Sequence, residues 1–269
     1  MITLSNGVAM PQIGLGVWQV EDNSVMDKAV RAAFDAGYTH FDTAQAYNNE
    51  HMIGEALAAY GNRQDYFLTT KLTNPRQGEA AKAFEESLKH LKTDYVDQFL
   101  IHWPSPTRGL YVDAWKELVK IYQDGRAKSI GVSNFGPHHI EKIVDATGFV
   151  PHVNQVERHP LYQQNELAAH CRRLGISMVA YSPLATGHMD QFAGKLAPIA
   201  QKHGKSTAQI ILRWQIQTGW VALPKSVTPS RIAENIDILG FSLDDGDLAL
   251  IASLDCGTRF LPDADSVPW

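Results

Sequence analysis

Eight apolar, strand-like runs alternate with stretches of helical period along this chain, and this alternation restricts the fold more than any other feature of the sequence. Strands joined by helical connections pair in parallel, because a long crossover returns the chain to the same end of the sheet. Eight such units in 269 residues suit a closed (β/α)8 TIM barrel better than an open, doubly wound sheet. The eight runs are 13–17, 39–42, 66–71, 95–102, 127–134, 152–157, 176–182 and 220–225.

The two ends of the chain fall outside this alternation. Residues 2–10 predict a short N-terminal β-hairpin, because Asn6-Gly7 is a favoured turn between two short apolar runs. Residues 254–269 have no helical pattern, and we expect this C-terminal tail to lie over one end of the barrel. No Pro-, Gly- or Ser-rich linker divides the chain, so residues 1–269 are predicted to form a single (β/α)8 barrel domain.

The helical stretches carry boundary signals. In the first of them, Ser24-x-x-Asp27 is a capping pattern that predicts the start of the helix, and Gly37 predicts its end. After the last strand, Thr228-Pro229 predicts another helix start, because Thr is a good N-cap and Pro suits the first helical position.

Charge and composition argue against several classes of partner. The formal net charge of −5 leaves no basic excess to meet phosphates, so neither nucleic acid nor an anionic membrane is an expected partner. No apolar run is long enough to span a membrane, and residues 1–12 lack the pattern of a signal peptide, so we expect a cytoplasmic protein. Cys171 and Cys256 have no CxxC spacing, which argues against a disulfide framework or a thiolate metal site.

Polar side chains follow the strand-like runs at the points where these end. The carboxyl ends of all strands of a (β/α)8 barrel meet at one mouth, and function lies in the loops there. Taken singly, each of these residues could be a solvated loop residue, but the first four lie 29 to 31 residues apart, about one strand–helix unit, and should converge. The set is Asp42, Lys71, His102, Ser133, Asn134, Gln155, Tyr181, Ser182, Lys225 and Ser226.

Three of these residues and one tyrosine suit the reduction of a carbonyl group. Because an unpaired buried charge is costly, we expect Asp42 and Lys71 to form an ion pair. The Lys71 ammonium would lower the pKa of a neighbouring Tyr47 hydroxyl and make it a usable proton donor. A neutral His102 could donate a hydrogen bond to a carbonyl oxygen and orient it. This set can protonate an oxygen that gains negative charge, but it contains no hydride donor.

Residues 223–235 predict a place for a phosphate-bearing hydride donor. They join the last strand to a helix, whose N-terminal amides and dipole favour anions. Phosphate sites of (β/α)8 barrels commonly use the loops after the seventh and eighth strands, and here the seventh is followed by residues 181–187. The cluster at this helix start is Lys225, Ser226, Thr228 and Arg231.

Two other patterns are weak. GLGVWQ, residues 14–19, lacks the third glycine of a dinucleotide-binding loop. His138 and His139 are adjacent, His152 and His159 lie seven apart, and no HExxH or cysteine cluster accompanies them. We therefore expect no metal site.

The sequence resembles the aldo-keto reductases along essentially its whole length, because several of their motifs occur in the family's order. The resemblance implies a (β/α)8 barrel that binds NADPH or NADP+ in an extended form without a Rossmann domain. In such enzymes a tyrosine protonates the carbonyl oxygen as hydride leaves the nicotinamide. The motifs are GLGVW (14–18), FDTAQAYNNE (41–50), TTK (69–71), IHWP (101–104), GVSNF (131–135), NQVE (154–157), AYSPL (180–184) and PKSVTPSRIAEN (224–235).

The same resemblance implies a role for each matching residue. Ser133, Asn134 and Gln155 would hold the nicotinamide carboxamide, and Tyr181 would stack on the ring. A cluster around Lys225 would hold the 2′-phosphate of the adenosine ribose, which favours NADPH over NADH. The implied catalytic residues are Asp42, Tyr47, Lys71 and His102; the cofactor-binding residues are Ser133, Asn134, Gln155, Tyr181, Ser182, Leu184, Lys225, Ser226, Val227, Thr228, Arg231, Glu234 and Asn235; the substrate-binding residues are Trp18, Tyr47, His102 and Trp103.

Within the family, the compact form and the ending LDCGTRF…VPW are most similar to the bacterial 2,5-diketo-D-gluconate reductases. The expected partner is a small carbonyl compound, such as a small aldehyde, a keto sugar or a keto ester, in a pocket that tail residues near Leu261 and Trp269 help to form. A monomer is the family's usual state.

Two other functions stay open. Lys71 at a strand end would suit a Schiff-base aldolase, although Asp42 beside it would keep the amine charged. The same fold also serves as a non-enzymatic, NADPH-sensing subunit. The presence of all four implied catalytic residues, the tetrad of Asp42, Tyr47, Lys71 and His102, does not exclude this function.

Overall fold

The computed structural model describes residues 1–266 and contains ten β-strands within them. The first two, β1 (Ile2–Thr3) and β2 (Ala9–Met10), pair antiparallel and form the predicted hairpin. Gly7 in its turn has a φ of 87°, a left-handed conformation that glycine adopts without steric cost.

The other eight strands are parallel neighbours in the order in which they occur in the chain. Each strand–helix unit therefore adds one strand to the wall of a barrel, and each of the eight apolar runs corresponds to one strand. These strands are β3 (Leu15–Gly16), β4 (His40–Asp42), β5 (Phe67–Leu72), β6 (Gln98–Ile101), β7 (Ile130–Ser133), β8 (Val153–Glu157), β9 (Ser177–Tyr181) and β10 (Val221–Leu223).

The barrel closes between its first and last strands. Gly16 pairs in parallel with Lys225, and the Gly14 amide donates to the carbonyl oxygen of Ala222 at 3.0 Å. A Cβ atom on Gly14 would lie 2.7 Å from a methyl carbon of Leu223, so a larger residue would have to displace that side chain. The predicted (β/α)8 barrel is confirmed.

Helices cover the outside of the barrel in alternation with the strands, and two of them lie between β9 and β10. Their apolar faces pack against the outward-facing residues of the strands, which gives the main hydrophobic core. The helices are α1 (Asn23–Asp35), α2 (Glu50–Tyr60), α3 (Ala80–Leu91), α4 (Tyr111–Gln123), α5 (Pro137–Thr147), α6 (Asn165–Arg173), α7 (Asp190–His203), α8 (Thr207–Gln217), α9 (Pro229–Ile236) and α10 (Asp245–Ala252).

The start of α1 differs from the prediction, because its N-cap is Asp22 rather than Ser24. The Asp22 carboxylate accepts hydrogen bonds from the backbone amides of Ser24 and Val25, at 2.8 and 3.0 Å. A carboxylate also interacts favourably with the positive end of the helix dipole, which favours Asp22 over a serine hydroxyl as the cap. The predicted boundaries at Gly37 and Thr228 are confirmed.

The hairpin closes the amino-terminal end of the barrel. Leu4 and Met10 are buried and pack against Phe67, Val153 and Val221, the first residues of β5, β8 and β10. This end of the barrel is therefore apolar and filled, which leaves the carboxyl end as the open mouth.

The tail contains no helix between residues 254 and 266 and lies at the carboxyl end of the barrel, as predicted. The backbone amides of Cys256 and Thr258 both donate to the carbonyl oxygen of Leu161, at 3.1 and 3.2 Å. Trp269, a predicted pocket residue, lies outside the described residues. No helix within residues 1–266 is both long and apolar enough to span a membrane.

Candidate active site

A cavity of about 490 Å³ opens at the carboxyl end of the barrel, between the strand ends and the tail. Most of the side chains that the sequence singles out at strand ends meet there. The predicted residues that line it are Trp18, Asp42, Tyr47, His102, Trp103, Asn134, Gln155, Tyr181, Ser182, Leu184 and Lys225, with Leu261 from the tail.

Lys71 lies behind this cavity and is fully buried. Its ammonium group is 2.5 Å from Asp42 Oδ1, which confirms the predicted ion pair. It also donates to the carbonyl oxygen of Thr43 at 3.0 Å and to the hydroxyl oxygen of Tyr47 at 3.2 Å. An ammonium group has three N–H donors, and all three are therefore in use.

These contacts keep Lys71 charged. Burial by itself lowers the pKa of Lys71, but the adjacent Asp42 carboxylate and the Tyr47 hydroxyl outweigh it, and the pKa lies above its usual value. A Schiff base needs a neutral amine with a free lone pair. The geometry therefore argues against the aldolase alternative.

Tyr47 accepts a hydrogen bond from Lys71, and its own proton meets no acceptor among the described residues. Because the hydroxyl lines the cavity, this proton is available to a bound molecule. The expectation of a lowered pKa is wrong: burial raises the pKa of Tyr47, and the Lys71 cation offsets burial only in part. Desolvation of the phenolate outweighs its attraction to an ammonium that Asp42 already neutralises.

His102 lies opposite Tyr47, with ring centroids 5.6 Å apart in an edge-to-face arrangement. Burial, and then the nearby Lys71 cation, lower the pKa of His102 well below its usual value. The ring is therefore neutral, as predicted, and within residues 1–266 neither ring nitrogen has a hydrogen-bonding partner. One ring nitrogen can donate into the cavity.

Gln155 provides a contact that the sequence did not reveal. Its side-chain amide donates to Asp42 Oδ2 at 2.8 Å, while Oδ1 of the same carboxylate binds Lys71. Gln155 thus fixes the orientation of Asp42 and connects the predicted carboxamide site to the ion pair.

Asn134 organises the adjacent part of the mouth. It has a φ of 63°, a left-handed conformation that asparagine tolerates better than most residues, and its amide donates to the His102 carbonyl oxygen at 3.0 Å. The same amide donates to Ser133 Oγ at 3.1 Å, and the Tyr181 hydroxyl donates to Asn134 Oδ1 at 2.5 Å. Ser133 is buried and is not among the residues that line the cavity.

The segment after β9 folds tightly over one side of the cavity. Ser182, Ala185 and Thr186 have φ values of 47°, 59° and 50°, and left-handed non-glycine residues of this kind concentrate at functional sites. Thr186 and Gly187 line the cavity; they belong to the predicted loop 181–187, although neither was named as a site residue.

The predicted anion cluster lies at the N-terminus of α9, next to the cavity. Lys225 lines the cavity edge, and Ser226 Oγ accepts a hydrogen bond from the Thr228 amide at 3.2 Å. Lys225 and Arg231 are exposed, and within the described part of the chain neither forms an ion pair. Val227 is half-buried and packs against the core.

Glu234 and Asn235 are farther from solvent than the two cations. Glu234 is half-buried and accepts a hydrogen bond from the Ser206 hydroxyl at the N-cap of α8, and Asn235 is buried. The Ser206 contact was not predictable from local sequence, since the two residues are 28 positions apart.

His138, His139 and Asp265 form the one group among the described residues whose ligand atoms are close enough for a metal ion. His139 Nδ1 accepts the Gly136 amide at 3.1 Å, so its neutral ring carries the proton on Nε2, 3.0 Å from Asp265 Oδ1. A histidine that binds a metal normally donates through its other nitrogen, and this one does not. The geometry therefore disfavours a metal here.

The donors around the cavity suit a phosphate-bearing nucleotide. Lys225 lies at one edge of the cavity, and the N-terminus of α9 with Arg231 follows it in the chain; within residues 1–266 neither cation forms an ion pair. Such a group suits anionic phosphates, and the amide and hydroxyl groups of Asn134, Gln155 and Tyr181 line the same cavity as Tyr47. A ligand with anionic phosphates at one end and a polar reactive ring at the other would match this distribution.

Comparison with known proteins adds a family match. Residues 12–255 match the sequence profile of the Aldo/keto reductase family. Methylglyoxal reductase DkgA of Escherichia coli (strain K12) is 46% identical over 267 residues, which cover 98% of this chain and 97% of the relative.

Solved structures are similar over the same extent. A mutant of Gox0644 in complex with NADPH has a TM-score of 0.94 and 40% identity, with 99% of this chain and 97% of that chain covered. The Bombyx mori aldo-keto reductase AKR2E4 in complex with NADP has a TM-score of 0.90 and 34% identity, with 98% and 95% covered.

Proposed function

The chain belongs to the aldo/keto reductase family, and we propose that it reduces small aldehydes and ketones to alcohols with Tyr47 as the proton donor. It is an NADP-dependent oxidoreductase of this family, and its cofactor is NADPH or NADP+. Because bacterial relatives are named methylglyoxal reductases, we infer that small aldehydes are better substrates of this chain than larger carbonyl compounds. A cytoplasmic location, a monomeric state and a single domain stay predictions.

One observation carries the assignment of the proton donor. The Tyr47 hydroxyl accepts a hydrogen bond from Lys71, its own proton has no acceptor within residues 1–266, and Tyr47 lines the cavity. Burial raises the pKa of Tyr47, so the phenol is protonated at neutral pH and ready to donate. As the proton leaves, the Lys71 ammonium at 3.2 Å stabilises the phenolate that forms.

The neighbouring residues place the substrate and support this proton transfer. Neutral His102 donates a hydrogen bond to the carbonyl oxygen, which orients it toward Tyr47 and stabilises the charge that develops there. Asp42 and Gln155 fix the position of Lys71. Trp18, half-buried Trp103 and Leu261 form the apolar part of the wall.

The cofactor-binding residues retain the assignments that the resemblance implies. When bound, NADPH supplies the hydride that reduces the carbonyl carbon. Asn134, Ser133 and Gln155 would hold the carboxamide end, and Tyr181 would lie against the ring. The cluster of Lys225, Ser226, Val227, Thr228 and Arg231 would hold the phosphate end, and Glu234 and Asn235 would lie near the adenine. Ser182 and Leu184 would also contact the cofactor.

The test is NADPH oxidation, followed by absorbance, with a panel of carbonyl compounds in wild type and Tyr47→Phe. We expect wild type to reduce small aldehydes and the variant to lose about 10²–10⁴-fold in kcat/KM, the range of general acid catalysis. NADPH binding, measured by fluorescence, should be unchanged, because the ring of Tyr47 remains.

Each other outcome has a distinct meaning. Full turnover by Tyr47→Phe would identify another group as the acid. Cofactor binding without turnover of any carbonyl by wild type would support the NADPH-sensing alternative.

A further inference from the structure

The C-terminal tail forms a thin wall between two cavities. Leu261 and Pro262 line the catalytic cavity, and Pro262 also lines a second cavity of about 210 Å³ behind the tail. Trp103, Asn134 and Tyr181 border both. Movement of the tail would therefore join the second cavity to the substrate site and enlarge it.

Glu157 holds this wall from the inside of the barrel. It is the last residue of β8, two positions after Gln155, so its side chain points to the same mouth. Its carboxylate accepts the backbone amide of Phe260 at 2.7 Å and that of Leu261 at 3.3 Å. Leu261 is part of the wall, and Phe260 is the residue before it.

The surroundings of the Glu157 carboxylate make it a strong hydrogen-bond acceptor for the tail amides. It is only 3% exposed, and His159 Nε2 lies 3.0 Å from Oε1. A buried carboxylate with these donors is strong as an acceptor, because water does not compete for it. The Phe260 ring packs between His159 and His188, with ring centroids 5.0 and 4.3 Å away.

The other polar attachments of the tail lie on either side of residues 260–262. The Cys256 and Thr258 amides bond to the Leu161 carbonyl oxygen, and Arg259 donates to the Tyr162 hydroxyl at 2.5 Å. On the other side, the more than half exposed Asp265 carboxylate lies 3.2 Å from exposed His138 and 3.0 Å from buried His139. Glu157 is therefore the main polar anchor for residues 260–262.

We propose that Glu157 is a positioning residue that restricts the enzyme to small carbonyl substrates by holding the wall of Leu261 and Pro262 in place. The inference rests on the proposed reductase function but concerns a residue outside the tetrad. Release of the tail should open the substrate site toward the second cavity. Bulky substrates should then gain activity, which unfolding or a general structural defect does not produce.

The test compares Glu157→Gln with Glu166→Gln, the same change at an exposed residue of α6 that forms no hydrogen bond or ion pair with tail residues up to 266. Glutamine keeps one acceptor oxygen and places an NH2 group against one of the two tail amides, so at least one of the two bonds is lost and the charge that strengthens the other is removed. Two measurements follow: kcat/KM for methylglyoxal and for 2-naphthaldehyde with NADPH, and hydrogen exchange of a peptide that covers residues 256–266.

We expect the ratio of kcat/KM for naphthaldehyde to that for methylglyoxal to rise about tenfold in Glu157→Gln, the low end of what a pocket contact contributes to discrimination. The change should lie mainly in the KM for naphthaldehyde, and exchange of the Phe260 and Leu261 amides should accelerate. Glu166→Gln should match wild type in both measurements.

An unchanged substrate ratio, or equal losses for both aldehydes, would overturn the inference. Equal tail exchange in wild type and Glu157→Gln would overturn it whatever the turnover. Failure of wild type to reduce either aldehyde would instead overturn the proposed function, and the exchange measurement would still decide whether Glu157 holds the wall.

Discussion

Lys71 and Arg158 are both cations buried in this barrel, and the protein holds them in opposite ways. Lys71 is fully buried and contacts the Asp42 carboxylate. Arg158, at 3% exposure, has no ion pair within residues 1–266 and donates to neutral oxygens, including the Gln163 carbonyl at 3.1 Å and the Gln215 side chain. Its guanidinium carbon lies 3.8 and 4.3 Å from the Trp214 and Trp220 ring centroids.

The difference shows that burial of a charge does not by itself identify an active site. Burial lowers the pKa of Arg158, while Asp255 offsets this only in part. Within residues 1–266, none of the residues that its guanidinium group contacts lines the catalytic cavity. Lys71, in contrast, contacts the hydroxyl of a residue that does line it. The contact with a group that faces the cavity is therefore what supports the proposed role of Lys71 and is missing for Arg158.

Substitution of Lys71 by methionine should give the largest effect. We expect Lys71→Met to lose about 10²–10⁴-fold in kcat/KM, because the Tyr47 phenolate loses the cation that stabilises it. The variant should also lose about 3–5 kcal/mol in the free energy of unfolding, because Asp42 becomes an unpaired buried charge. Kinetics with a small aldehyde and denaturant unfolding measure the two effects.

The double variant Asp42→Asn, Lys71→Met separates these two effects. It removes both charges, so it should regain part of the lost stability and none of the lost activity. If Lys71→Met turned over carbonyls within a few fold of wild type, the assignment of Lys71 to catalysis would be wrong.

Substitution of Arg158 by methionine should show the converse pattern. We expect a loss of about 2 kcal/mol in the free energy of unfolding, because the oxygens of Gln163 and Gln215 lose their donors. This corresponds to a fall in Tm of roughly 4–8 °C. Activity below Tm should equal that of wild type, because Arg158 does not reach the cavity.

Arg158→Lys is the matched control for charge. Lysine keeps the charge but lacks the planar fork that bonds two oxygens and stacks on tryptophan, so it should not restore Tm. Wild-type stability in Arg158→Lys would show that charge alone matters. A loss of turnover in Arg158→Met that exceeds its loss of folded protein would contradict the comparison.

The sequence predicted that Lys71 is buried in an ion pair and did not predict the burial of Arg158, for a physical reason. Asp42, Lys71 and His102 end consecutive barrel strands, so the period of the strand–helix unit alone places them at one mouth. The environment of Arg158 comes from Gln215 and two tryptophans, and Gln215 lies 57 positions away. No local pattern reports such a contact.

Long-range contacts and burial also explain why the sequence did not predict the role of Glu157 or the direction of the Tyr47 pKa shift. Glu157 meets Phe260 at a separation of 103 positions, so its role appears only in the folded chain. The fold and the ion pair followed from strand order and charge. The direction of the Tyr47 pKa did not, because it depends on how completely the site excludes water, which a sequence does not state.

The pH dependence of turnover gives the smallest expected effect and tests this last point. Below the pKa of Tyr47 the phenol carries the proton that it must donate, so activity should fall only when pH rises through that pKa. Burial raises the pKa of Tyr47 above its usual value of about 10. If the Lys71 cation outweighed burial, the pKa would be lower and activity would fall below about pH 10.

On the acid side, the pKa of His102 is lowered, so protonation of His102 should reduce activity only well below about pH 6.5. We therefore expect kcat/KM for a small aldehyde to be flat between about pH 6.5 and 10. An alkaline limb inside that range that disappears in Lys71→Met would show that the cation outweighs burial in the working enzyme.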